Sequence, residues 1–163
     1  MRQLDSDGFL MCKIQGRIFE KSVDVLDCSS PIFIKNYMLG DIARSMDILA
    51  FLNTTISDER ILDDMKDISY GTTKYTSEEM YFIGHFYRYV SYIYEIDSKK
   101  IFKMIPGRIL KRYAFVGTTI GDDKALHEII NDYHIDLNSK DKLFEKTKST
   151  ISKNIENYIF KAN

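Results

Sequence analysis

Between Ser77 and Asp97 the chain carries Met80, Tyr81, Phe82, Ile83, Phe86, Tyr87, Tyr89, Val90, Tyr92, Ile93 and Tyr94. At about 100° per residue these apolar and aromatic side chains point to every side of a helix. A helix with no polar face is stable only where other elements enclose it. Ser77-Glu78-Glu79 supplies a capping hydroxyl and two acids for its first turn, where the helix dipole favours negative charge. Gly84, His85, Arg88 and Glu95 interrupt the run, so it fits a protein core and not a bilayer. The segment 77–97 is therefore expected to be the buried centre of the fold, and the rest of the chain must supply the elements that cover it.

Those elements show the helical period. Ser29-Ser30-Pro31 places a hydroxyl before a proline at a first helical position, and Ile34, Met38, Ile42, Met46 and Leu49 follow at three- and four-residue steps. This predicts a helix over 31–51. A weaker version of the pattern covers 11–26. Ser57, Asp58 and Glu59 open a helix over 57–68 with the stripe Ile61, Leu62, Met65 and Ile68. Leu126, Ile129, Ile130 and Tyr133 mark another over 122–133. Residues 70–76 read as a loop and 117–121 as a linker, while Pro106-Gly107 separates two short segments, 99–105 and 108–115. Ser139 caps a lysine-rich tail with the stripe Phe144, Thr147, Ile151, Ile155, Tyr158 and Ile159. The expected architecture is all-α: a compact multi-helix bundle over 1–135 around the central helix, followed by a C-terminal amphipathic helix over 139–163. The alternative is α+β, with 99–105 and 114–119 as a small two-strand element.

With 163 residues, 44% of them hydrophobic, the chain is the size of one globular domain. A formal net charge of −1 argues against binding a polyanion with the whole surface. Cys12 and Cys28 are too few and too isolated for a disulfide framework, which points to a reducing, cytoplasmic setting. The first residues hold no apolar run long enough for a leader or a membrane anchor.

Motifs that carry chemistry are missing. His127-Glu128 starts like a zinc-binding HExxH, but Asn131 stands where the second histidine belongs and His134 is off that helical face. Gly117 and Gly121 precede a helix without forming a phosphate loop. No metal or cofactor is expected, and no catalytic residue. The unusual cluster is Gly84-His85-Phe86-Tyr87-Arg88-Tyr89. His85 and Arg88 are candidates for acid–base and anion-binding roles. With no nucleophile or second acid nearby in sequence, the preferred reading is structural: a core histidine, and an arginine paired with a carboxylate such as Asp47 or with backbone carbonyls.

Charge is distributed unevenly. Lys99, Lys100, Lys103, Arg108, Lys111 and Arg112 fall in 98–112 without an acid, interleaved with apolar residues, as at a nucleic-acid contact or a solvated lysine face. Residues 57–69 hold five acids, including Asp58, Glu59 and Asp63, against Arg60 and Lys66.

Several stretches resemble a group of small bacterial proteins of undefined biochemistry associated with toxin–antitoxin-like gene pairs. They are Gly16-Arg17-Ile18-Phe19-Glu20-Lys21-Ser22, Ser29-Ser30-Pro31-Ile32-Phe33-Ile34-Lys35, Tyr70-Gly71-Thr72-Thr73-Lys74-Tyr75, and Tyr81 to Tyr89 continuing into 98–106. The resemblance spans about 12–133 and implies no catalytic residue. Similar proteins tend to stop near Tyr133, which makes the tail an addition. The expectation is a non-enzymatic protein-binding module of antitoxin or immunity type, its partner a cognate toxin or a second copy. The expected contacts are Asp58, Glu59, Asp63, Tyr70, Lys74 and Tyr75, with Phe144, Ile151, Ile155 and Tyr158 of the tail. The alternative is a nucleic-acid-binding regulator acting through 98–112.

Overall fold

Asp5 accepts a hydrogen bond from the Gly8 N–H and starts the first helix, α1 (Ser6–Val25), in a computed structural model that describes residues 1–54 and 56–137. It is followed by α2 (Ser30–Leu39), α3 (Asp41–Met46), a 3-10 turn (Leu49–Asn53), α4 (Asp58–Asp63), α5 (Ser77–Tyr94), α6 (Ser98–Met104), α7 (Gly107–Ile120) and α8 (Asp122–Tyr133). The fold is all-α, with no strand among the described residues; 99–104 and 114–119 are helical. No helix among them is long and apolar enough to cross a membrane. The tail, with Phe144, Ile151, Ile155 and Tyr158, lies outside the described residues.

Helix α5 is the centre. A full capping box starts it: Thr76 Oγ1 accepts from the Glu79 N–H, and the Glu79 carboxylate accepts from the Thr76 N–H. Twelve of its residues are buried, from Met80 to Ile93. Helix α1 lies antiparallel along it, from the Arg2 N–H donating to Ile93 O near one end to the Gln15 amide donating to Gly84 O near the other. Glycines allow the close approach. A Cβ on Gly84 would lie 2.7 Å from Gln15 O and 2.6 Å from Phe19, and one on Gly16 would lie 2.9 Å from the Tyr81 ring.

Helix α1 starts at Ser6, five residues before the expected 11–26, and α5 ends at Tyr94 instead of Asp97; three further boundaries differ. The helix expected over 31–51 breaks at Gly40, whose extended backbone lets α3 start in a new direction while Met38 and Met46 stay in one core. Helix α4 ends at Asp63 and continues only as turns, because Asp63, Asp64 and Asp67 crowd the end where the dipole disfavours negative charge. The linker expected over 117–121 is the last turn of α7. Gly117 sits there for packing, since a Cβ would meet the Phe82 ring at 2.3 Å, and only Gly121, at φ 85°, stops the helix.

Candidate functional site

Arg88 comes off the middle of α5 and is 2% exposed. Its Nε donates to Gln15 Oε1 (3.0 Å), Nη1 to Met46 O (3.0 Å) and Asp47 Oδ1 (2.8 Å), and Nη2 to Ala43 O (3.4 Å) and Ser98 Oγ (2.9 Å). A guanidinium has five N–H donors, and each has an acceptor. Asp47 is satisfied in turn by the Ser98 N–H (3.0 Å) and the Ser98 hydroxyl (2.6 Å). Arg88 thus ties α1, α3, α5 and α6 together and has no donor left for a ligand anion.

His85 sits one turn before. Its Nε2 lies 2.9 Å from Asp122 Oδ2 at the start of α8, its ring stacks on Tyr81, and its Nδ1 is buried without a hydrogen-bond partner. One nitrogen is thus engaged and the other closed off. The Cys12 thiol is pushed up to about 12, chiefly by burial, and burial also raises Cys28, so neither is a ready nucleophile at neutral pH. Among the described residues no group of three or more His, Cys, Asp or Glu stands ready for a metal.

The residues expected at a partner contact separate in the structure. Asp58 accepts from Arg17 (3.1 Å) and Lys21 (3.2 Å) of α1, and Glu59 from Lys21 (2.7 Å). The Lys21 hydrogen bond holds the Glu59 carboxyl down at about 2. Asp63 pairs with Lys66 at 2.6 Å. Asp58 and Glu59 therefore brace α4 against α1. The 70–76 loop is fastened down as well. Lys74 Nζ donates to Val23 O (3.2 Å) in the last turn of α1 and to Leu26 O (2.6 Å) just beyond it, and the Tyr75 N–H donates to Ser30 Oγ (2.9 Å). Tyr75 is buried and Tyr70 stays exposed. Lys74, though exposed, and the buried Tyr75 thus also hold the loop to the fold.

The six cations of 98–112 are not equivalent either. Lys111 lies over the Tyr75 ring (5.0 Å) and 3.6 Å from Glu79, Arg112 donates to Tyr133 Oη (3.4 Å), and Lys100 is partly buried. Lys99, Lys103 and Arg108 are exposed.

What the sequence reading missed is a groove of about 300 Å³ between the first half of α1 and the 49–58 connection, walled by Leu10, Ile14, Phe51, Leu52 and Ile56. Arg17, Asp58 and Glu59 form its polar rim. Leu10 is 47% and Ile56 42% exposed. A signal was present: Phe9-Leu10-Met11 and Ile14 put apolar residues on more than one face of α1, while the buried positions of its first half are Gly8, Met11, Cys12 and Gln15. No known family model matches the chain, and no curated protein or solved structure matches it either.

Proposed function

We propose that the chain is a non-enzymatic, cytoplasmic protein-binding module of antitoxin or immunity type that neutralises a partner protein by direct contact. The groove bounded by Leu10 and Ile56 is its principal contact. That groove carries the proposal: large apolar side chains stand exposed around a concavity whose charged rim is held in place by Arg17 and Lys21. Exposed apolar patches with a polar rim are features of protein interfaces, and a preformed one saves ordering entropy on binding. Asp58 and Glu59 belong to the proposed contact through this rim. The resemblance of 12–133 to small bacterial proteins of toxin–antitoxin-like gene pairs supports the choice of partner, and two free, buried cysteines agree with a reducing compartment.

The test is co-expression with the product of the adjacent gene, followed by co-purification and a binding titration. The Leu10→Asp/Ile56→Asp double variant is expected to weaken the complex at least tenfold while its circular dichroism spectrum is unchanged. Unchanged affinity in the folded variant removes the groove as the contact, and failure of the two products to associate removes the antitoxin assignment.

A further inference from the structure

A second concavity opens on a different set of elements. Pro31 and Ile34 of α2, Tyr75, Phe102 of α6 and Pro106 to Arg108 at the start of α7 wall a cleft of about 320 Å³. Apart from Arg108 its walls are apolar, and around it cations outnumber acids, with Glu79 lying 3.6 Å from Lys111. Arg108 forms part of the lip, Lys99 lies one turn before Phe102 on the same side of α6, and Lys103 follows. Lys111 is nearby, held over the Tyr75 ring. No acid occurs from Ser98 to Arg112, although the whole chain is close to neutral.

We propose that this cleft takes one apolar side chain of an acidic peptide segment, whose flanking carboxylates are met by Lys99, Lys103 and Arg108. The proposal rests on the chain being a protein-binding module, but it uses a face other than the Leu10–Ile56 groove. Charge complementarity selects the acidic partner: an apolar anchor fills the cleft, and the exposed cations draw in a segment of opposite sign. A nucleic acid fits less well. Base stacking needs an open ring face, yet the Tyr75 ring is covered by Lys111 and Phe102 packs towards Tyr87. Of the five exposed cations, Lys111 and Arg112 are already engaged, and the three that remain are few beside the roughly 6–10 phosphate contacts of a salt-sensitive DNA binder.

The test is selection of a random dodecapeptide display library against the immobilised full-length chain, followed by anisotropy titrations of the enriched peptide and of a fluorescein-labelled dT12 oligonucleotide. The expected consensus is an apolar residue flanked by Asp or Glu. Its affinity should fall with added salt and drop at least tenfold in the Lys99→Glu/Lys103→Glu/Arg108→Glu variant, with no more than twofold change in Leu10→Asp/Ile56→Asp. A neutral or basic consensus, no enrichment, tighter binding of dT12 than of the peptide, or an affinity indifferent to the charge reversals overturns the assignment. So does a concentration-dependent dimer in sedimentation that the charge reversals dissolve, since the occupant is then a second copy. Peptide loss in Leu10→Asp/Ile56→Asp alone overturns the cleft while leaving the groove standing, so the two proposals fail separately.

Discussion

At the scale of single residues the decisive side chain is Arg88, because its position inside the core leaves it no alternative to full pairing. Replacing it with Met keeps the volume but strands Asp47, whose partners shrink to Ser91 and Ser98. Breaking a buried pair by removing one partner costs about 3–5 kcal/mol. Arg88→Met is therefore expected to lower the urea midpoint severely, and adding Asp47→Leu should recover part of the loss. No recovery in the double variant would show that the backbone carbonyls of Ala43 and Met46 need the guanidinium more than Asp47 does. Glu59 and Lys21 give a second residue-scale expectation, about pH. Glu59 is lowered from its ordinary 4.5 to about 2, and Lys21 is raised above 10.5, each chiefly through their mutual hydrogen bond. A lowered carboxyl contributes stability above its unfolded pKa and loses it as pH falls through the folded value. A raised ammonium contributes below its unfolded pKa and loses it as pH rises through the folded value. The pair thus acts between about 4.5 and 10.5, fading towards 2 and into more alkaline solution. Both groups are exposed, so solvent screening keeps the effect small. Melting curves from pH 2 to 7 should show a shallower acid decline for Glu59→Gln than for the parent chain, and parallel curves would contradict it.

At the scale of elements the packing is set by where side chains are missing. Gly84→Ala pushes a methyl against the Gln15 carbonyl, a backbone atom that can yield only if α1 moves. Overpacking costs about 1–3 kcal/mol, and Phe86→Ala or Ile93→Ala should cost about 2–5 kcal/mol through lost contacts and a cavity. If these variants melt with the parent chain, α5 is not the organising element. The same fact explains what could be read in advance. Helix α5 was legible because its rings surround it and its cap is local. Helix α1 was only faint, since Gly8 and Gly16 occupy positions on the face that meets Tyr92 and Tyr81, and a pattern of apolar residues does not register glycine as buried. Gly117 is masked for the same reason: a glycine with the look of a linker residue is a point of close approach to Phe82. The break at Gly40 was hidden because the apolar spacing continues across it into α3. The Arg88–Asp47 pair was legible as a possibility, since a cation between buried rings needs a carboxylate. The Leu10–Ile56 groove joins residues far apart in sequence, so the local pattern in α1 shows surplus apolar residues but not what stands opposite them.

At the scale of the whole molecule the question is why a chain with so well satisfied an interior leaves Leu10 and Ile56 uncovered. Buried polar side-chain atoms lack a partner only at His85 Nδ1 among the described residues, and the acidic and lysine side chains of α4 and the 70–76 loop are largely bonded to α1. Stability gives no reason for a half-exposed leucine beside a half-exposed isoleucine, because apolar area left in water contributes nothing to folding. Surface substitutions away from caps and buried networks change stability by within about 0.5 kcal/mol. Leu10→Asp and Ile56→Asp, alone or together, are therefore expected to shift the melting temperature by no more than a few degrees, and the chain should become more soluble at high concentration. Phe51→Asp, on the same groove but 6% exposed, should instead unfold the region, because its ring belongs to the core. The contrast separates two roles for neighbouring side chains. If Leu10→Asp destabilises as strongly as Phe51→Asp, the groove is a flaw in packing that folding needs closed. If it leaves the melt intact and lowers self-association or partner affinity, those side chains are held in water for what they bind.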